Sequence, residues 1–316
     1  MPSFDPASLS SLSGKVYLVT GGNAGIGYET ILHLARKDAK VYMGCRSSTK
    51  GNAAIASIHG LVPHADVQLL ILDHMDLTSV VSAANELKTK ENRLHGLVNN
   101  AGIMAVPFET SKDGYESQWQ TNYLAHFLLT HHLLPLMLAT AKVSTPGDVR
   151  IVNVTSGGHA TFAPRAGIDF EDTNQTRGGV WSRYGQSKLA NVLHAKELNR
   201  FYGPDGTKKS EGQIWTAAVH PGHIYTDLSK NAQFAGPLSK PVAATLNCLG
   251  VFIPADKGSF TSVFCAASQD MKADMSGEYF VPLGKVGKPS KHANNPDMAE
   301  KLWQWTEAEF SKKNFM

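Results

Sequence analysis

Apolar runs too short for helices alternate with stretches whose apolar residues recur at helical spacing. Residues 15–19 (KVYLV) and 41–45 (VYMGC) are nearly unbroken apolar runs, as expected of strands buried on both faces. Between them Ile26, Ile31, Leu34 and Ala35 fall on one side of a helix. Strand, turn, helix and strand thus fit within about thirty residues, the size of a crossover unit. Asp38 stands where a helix C-terminus commonly takes glycine, and aspartate tolerates the left-handed backbone needed there. Further strands are predicted at 67–72, 96–99, 149–155, 214–219 and 278–281, and helices at 78–88, 117–141, 182–202 and 255–267. Strands alternating with helices predict an α/β fold: one doubly wound parallel sheet with helices on both faces. No repeat or low-complexity linker divides the chain, so residues 1–13 read as an N-terminal arm and 14–316 as a single domain. Two stretches, 157–181 and 229–254, are too long for simple connections, and loops of that length in a compact domain usually carry function.

Composition narrows the choices. Of the 316 residues 42% are apolar, and the net charge of +3 comes with no basic block, so a sizeable core and no nucleic-acid partner are expected. Three cysteines, Cys45, Cys248 and Cys265, lie far apart with no CxxC pair, which predicts reduced thiols and a reducing, cytoplasmic compartment. The adjacent His131 and His132 lack ligand partners at useful spacing, so no metal is expected. The first thirteen residues hold no Lys or Arg and no long apolar run, unlike a signal or transit peptide. From Ser117 to Ala141 there is no Asp, Glu, Lys or Arg, yet Gln118, Gln120, Asn122, three histidines and Pro135 interrupt the stretch. That mixture predicts a buried helix and no transmembrane segment.

The first strand runs straight into a turn with Gly21, Asn23, Gly25, Ile26 and Gly27, spaced G-x-x-x-G-x-G, which opens the first helix. Residues without Cβ permit a tight turn, and a helix N-terminus offers N–H groups to a pyrophosphate. The context points to a dinucleotide-binding, Rossmann-type fold, against a plain glycine-rich turn. The second strand ends at Arg46, with no Asp or Glu nearby to hold a ribose 2′-hydroxyl. A guanidinium can grip a 2′-phosphate with two bonds, so the cofactor expected is NADP(H), with Lys50 as a possible assistant. Asp73, just past the third strand, suits either an adenine amine or a helix cap.

Tyr184 and Lys188 are four residues apart, so a helix stacks them one turn apart on one face. A free tyrosine titrates near ~10, and bringing it to neutrality would take about 4 kcal/mol. A lysine ammonium together with a cationic nicotinamide ring could supply that in a closed site. A surface Tyr–Lys pair is the simpler alternative for that spacing alone.

With the glycine turn and this pair both in place, the chain resembles the short-chain dehydrogenase/reductase family. Asn99, Asn100, Ala101 and Gly102 close the fourth strand like the family's NNAG, and Asn122 falls where the family has its helix asparagine. Ser156 ends the fifth strand, and Pro221, Gly222 and Thr226 match the PG-x-x-x-T turn after the sixth. The stretches 41–46, 126–130, 187–191 and 277–280, with the long gap between Ser156 and Tyr184, are similar to the retinol-dehydrogenase-like branch. Two departures stand out: no N-terminal membrane anchor is legible, and Thr155 precedes Ser156 with Gly157 and Gly158 after it. A soluble biosynthetic or detoxifying reductase is therefore expected.

The resemblance implies the roles. Tyr184 is the general acid or base, and Ser156 donates to the substrate oxygen. Lys188 lowers the phenol's pKa and binds the nicotinamide ribose, while Asn122 holds a water that links Lys188 to solvent. Cofactor contacts are expected from Gly21, Asn23, Gly25, Ile26, Gly27, Arg46, Asp73, Asn99, Ala101, Gly102, Tyr184, Lys188, Pro221, Gly222 and Thr226. The expected reaction is NADP-dependent interconversion of a ketone or aldehyde and an alcohol. Isomerase- or dehydratase-type chemistry on the same cofactor, and a non-catalytic NADP(H)-binding scaffold, are the alternatives. The family often pairs through its two long helices, so a monomer or homodimer is expected. A substrate lid is placed at 229–254, where Phe234, Leu246 and Phe252 stand among apolar residues with two lysines and no acid. Met104, Val106 and Phe108 would form the opposite wall, with Trp181 closing one side, so the substrate expected is a small apolar molecule. His159 is expected on the loop surface or against substrate, and Trp303 and Trp305 as packing anchors.

Overall fold

The computed structural model describes residues 4–222, 224 and 253–316. Its strands are β1 (Val16–Thr20), β2 (Lys40–Cys45), β3 (Val67–Ile71), β4 (Gly96–Asn99), β5 (Arg150–Val154), β6 (Trp215–Val219), β7 (Tyr279–Val281) and β8 (Lys285–Val286). They form one sheet in the order β3-β2-β1-β4-β5-β6-β7-β8. Pairing is parallel from β3 through β7, and β8 returns antiparallel along β7. Because β1 pairs with both β2 and β4, the strand order reverses there, which makes the carboxyl ends of those strands the sheet's topological switch point. Such switch points are where open α/β sheets hold their ligands.

The helices are α1 (Gly25–Ala35), α2 (Ser48–Leu61), α3 (Leu77–Lys90), α4 (Ser117–Lys142), α5 (Gly158–Thr161), α6 (Val180–Tyr202), α7 (Ala255–Ala267) and α8 (Pro296–Lys312). Successive strand residues point to opposite faces. Leu18, Leu97 and Ile151 therefore pack with α3, α4, α6 and α8, whereas Tyr17, Val19, Val98 and Val152 pack with α1, α2 and α7. Burial on both faces is why the strands read as apolar runs. By length and composition α4 could cross a membrane, but 61% of its apolar window is buried inside the protein, so its breadth serves the core.

Two further helices were not among those predicted. α2 starts at a Ser47 side-chain cap on Lys50 N and buries only Gly51, Ala54 and Ile58. α8 begins with the Asn295 side chain accepting from Met298 N, with Pro296 in its first turn. It lies along α4 and α6, where Trp303 meets Phe127 with ring centres 4.9 Å apart and the Tyr123 and Thr306 hydroxyls are 2.7 Å apart. Trp303 and Trp305 are packing anchors, as expected. Asp38 adopts φ 67°, the left-handed turn expected at the end of α1. The 157–181 stretch is tied down: Gln186 accepts from Asp169 N at 2.9 Å and donates to the Thr173 carbonyl at 2.9 Å. Cys45 and Cys265 are free, buried thiols; Cys248 lies outside the described residues.

Candidate active site

The glycine turn sits where β1 gives way to α1. Gly21 and Gly25 have φ 64° and 55°, and a Cβ on Gly27 would lie 2.4 Å from the Gly21 carbonyl oxygen. Only glycine lets α1 begin this close to the turn. The N-cap is Ala24 and no side chain caps the helix, so its first N–H groups remain for an anion. These residues fit a dinucleotide pyrophosphate, with Asn23 and Ile26 flanking the turn. The Asn100 side chain donates to the Thr20 carbonyl at 2.8 Å, while the backbone N–H groups of Asn100 and Ala101 both donate to Thr20 Oγ1 at 2.9 Å. The loop at the end of β4 is thereby fastened to the turn.

Asn99, expected to touch cofactor, has its side chain elsewhere. It is buried and donates to Thr130 Oγ1 at 3.1 Å and Asn153 Oδ1 at 2.8 Å, supporting the strand ends from within. Asn100, named in the motif but not among the expected cofactor contacts, is the member of the pair that meets the turn. The alternation of side chains along a strand is the signal that separates the two.

Arg46 is exposed just past β2, and among the described residues it makes no ion pair. Its guanidinium is thus available for a 2′-phosphate; Lys50 is exposed nearby on α2. Asp73 is not the cap of α3, a role filled by Asp76, which accepts from Thr78 N and Ser79 N. Asp73 instead closes its own turn by accepting from Met75 N through Oδ1 at 2.9 Å. Pro221 and Gly222 follow β6, Gly222 with φ 101°. Thr226 and residues 229–252 of the expected lid lie outside the described residues.

The catalytic candidates converge. Ser156 leaves β5, its hydroxyl accepts from Gly158 N at 3.1 Å, and its side chain is close enough to the Tyr184 phenol on α6 to favour the phenolate. A Cβ on Gly158 would lie 2.9 Å from Tyr184 Cε1, so the glycine that departs from the family pattern makes room for the phenol. Lys188 is 4% exposed, and its Nζ donates to the Val154 carbonyl at 3.1 Å and lies beside Gly102 and Asn122. The Asn122 side chain accepts from Ile103 N at 2.8 Å and donates to the Ile103 carbonyl at 3.0 Å and to Ser187 Oγ at 2.9 Å. It sits in a π-turn, Gln120–Leu124, inside α4, a local widening common at functional sites.

Burial dominates the electrostatics of Tyr184 and Lys188. Burial pushes the Tyr184 phenol up to about 12, and the hydrogen bond from Ser156 offsets part of that. Burial also pulls Lys188 down to about 8. Lys188 Nζ lies 5.8 Å from the ring centre while bonded to the Val154 carbonyl. At neutral pH the phenol therefore holds its proton.

His159 is neither loop surface nor substrate wall. It is 2% exposed, with Nδ1 2.7 Å from the Ser156 carbonyl and Nε2 accepting from Ser290 N at 3.1 Å. It fixes the backbone of the serine. Trp181 stands between Phe162 and Tyr184, with ring centres 4.9 and 6.3 Å away. Phe162 and Phe108 are exposed, while Met104 and Val106 are half-buried.

Comparison with known proteins agrees with this geometry. A family model described as short chain dehydrogenase matches residues 15–168. A short-chain dehydrogenase/reductase of Aspergillus calidoustus is 52% identical over 313 residues, covering 98% of this chain and 98% of the relative. Retinol dehydrogenase 12 of Mus musculus is 35% identical over 294 residues, covering 92% of this chain and 85% of the relative. Among solved structures, the NADP active-site complex of RhlG from Pseudomonas aeruginosa aligns with a TM-score of 0.64 at 23% identity, over 87% of this chain and 96% of that one.

Proposed function

The chain belongs to the retinol-dehydrogenase-like branch of the short-chain dehydrogenase/reductase family, and we propose that it uses NADP(H) to interconvert an apolar ketone or aldehyde and the corresponding alcohol. The observation that carries this reading is the convergence of Ser156 at the end of β5 with the buried Tyr184 and Lys188 of α6, Lys188 Nζ bonded to the Val154 carbonyl and next to Asn122, together with the uncapped start of α1. NADP(H), when bound, supplies or accepts the hydride. Ser156 donates to the substrate oxygen, where negative charge builds during reduction. Tyr184, protonated at neutral pH with its pKa at about 12, delivers the proton to that oxygen. In oxidation the same phenol, as phenolate, takes the proton away. Lys188 and Asn122 hold the floor of the site, Lys188 toward the cofactor ribose and Asn122 through its bonds to Ile103 and Ser187.

Three features support the finer statements. Arg46, exposed and outside any described ion pair, favours the phosphorylated cofactor, and NADP stands in the solved RhlG complex. Phe162 and Trp181 beside Tyr184, with the half-buried Met104 and Val106, favour an apolar substrate. The reading is tested by following NADPH and NADH oxidation against a panel of carbonyl compounds matched in reactivity. It predicts kcat/KM rising with apolar bulk, and a preference for sugars or short keto acids would end it.

A further inference from the structure

Beneath the glycine turn lies a set of buried polar groups that the reaction above does not use. His126 is on α4, four residues after Asn122, and is 1% exposed. Its Nδ1 is 3.0 Å from the Asn122 carbonyl oxygen. Its Nε2 is 2.9 Å from Thr20 Oγ1 and 3.1 Å from His74 Nε2. Thr20 Oγ1 is the atom that receives the N–H groups of Asn100 and Ala101.

The proton placement follows from the partners. A carbonyl can only accept, so the His126 proton sits on Nδ1 and is donated to Asn122. Nε2 is then an acceptor and faces the Thr20 hydroxyl and the His74 ring. With two backbone N–H groups donating to it, Thr20 must send its own proton outward. His126 Nε2 at 2.9 Å is a nearer acceptor than the Val98 carbonyl at 3.4 Å. Burial, with His74 adding to it, keeps the His126 ring neutral, as this arrangement requires. The His74 carbonyl in turn accepts from Gln120 at 3.1 Å, so the dyad is braced from the start of the π-turn.

We propose that His126 is a positioning residue that ties the cofactor loop to the asparagine of the active site: Nε2 holds Thr20, and through it Asn100 and Ala101, while Nδ1 holds the Asn122 backbone. The proposal rests on the cofactor and catalytic roles assigned above. It makes the two arms separable, because each side-chain amide reproduces one ring nitrogen. In His126→Asn the amide stands near the position of Nδ1, keeping the bond to Asn122 and dropping the one to Thr20. In His126→Gln the amide reaches the position of Nε2, keeping Thr20 and dropping Asn122.

The experiment measures the NADP Kd by calorimetric titration, and kcat at saturating cofactor, for the full-length wild type and both variants. His126→Asn is expected to raise the NADP Kd roughly 2- to 12-fold, the span of one hydrogen bond, with kcat little changed. His126→Gln is expected to leave Kd near wild type and lower kcat by a similar factor. Thr20→Val, which removes the hydroxyl and with it the acceptor for Asn100 N and Ala101 N, should raise the NADP Kd at least as much as His126→Asn does, and it covers the case in which a histidine variant fails to fold. Equal effects of both substitutions on both quantities, or a lowered melting temperature with Kd and kcat unchanged, would overturn the proposal. A wild type that binds NADP but reduces no carbonyl would end the functional reading, and the Kd comparison would still decide the Thr20 arm. A wild type that binds no NADP ends both.

Discussion

Lys188 Nζ lies 5.8 Å from the centre of the Tyr184 ring and donates to the Val154 carbonyl at 3.1 Å. The lysine is thus anchored to the end of β5 and aimed past the phenol, beside Gly102 and Asn122. Two buried groups with opposed charge preferences are each held neutral-leaning by the same cause, desolvation. Under the proposed function Lys188→Met should weaken NADP binding and lower turnover together, because there the ammonium is assigned to the cofactor ribose as well as to the site. Cofactor titration and steady-state kinetics on the variant check this; a change in melting temperature alone would make Lys188 a structural residue.

In the function proposed above, Arg46 selects the phosphorylated cofactor. A charge-assisted hydrogen bond contributes about 1.5–3 kcal/mol, so Arg46→Ala should erode an NADP-over-NAD preference by roughly 10- to 150-fold. The ratio of kcat/KM values for NADPH and NADH in wild type and variant reads this directly. Equal use of both cofactors by the wild type would contradict it.

Acid should destabilise the fold. Burial lowers His74 to about 4, His194 to about 3 and His126 well below its ordinary value. In the unfolded chain each titrates near ~6.5, so below that pH the unfolded state binds more protons than the folded one. Stability is then lost as pH falls through the window from about 6.5 to about 4, at about 1.4 kcal/mol per pH unit for each such proton. Urea unfolding across this range should show a falling free energy; a flat profile would mean that the three rings are not buried neutral.

Much of this was readable from the chain because its elements are doubly buried or chemically marked. Strands covered on both faces leave apolar runs, and the glycines at 21, 25 and 27 mark a turn with little tolerance for Cβ. Ser156, Tyr184 and Lys188 fall on strand and helix ends that those patterns locate. What stayed hidden depends on partners distant in sequence. His159 is buried by its bond to Ser290, 131 residues away, and His126 meets Thr20 across 106. The surroundings of Lys188 were hidden for the same reason: spacing sets the face of a helix, whereas burial and the Val154 carbonyl are tertiary facts. Helix α8, by contrast, carries a one-sided stripe, Ala299, Leu302, Thr306 and Phe310, whose spacing could have revealed it.

The central claim is that the Tyr184 phenol is the proton donor of a carbonyl reduction. Tyr184→Phe keeps the ring, which is 4% exposed and packed against Trp181, and removes only the hydroxyl. The most direct measurement is NADPH oxidation by the wild type and this variant on the best carbonyl of the panel, with the NADP Kd of each determined alongside. The account predicts a Kd close to wild type and a kcat lower by roughly 10²- to 10⁴-fold, the usual loss when a general acid is removed. A variant that binds NADP normally and turns over within about threefold of wild type would contradict it.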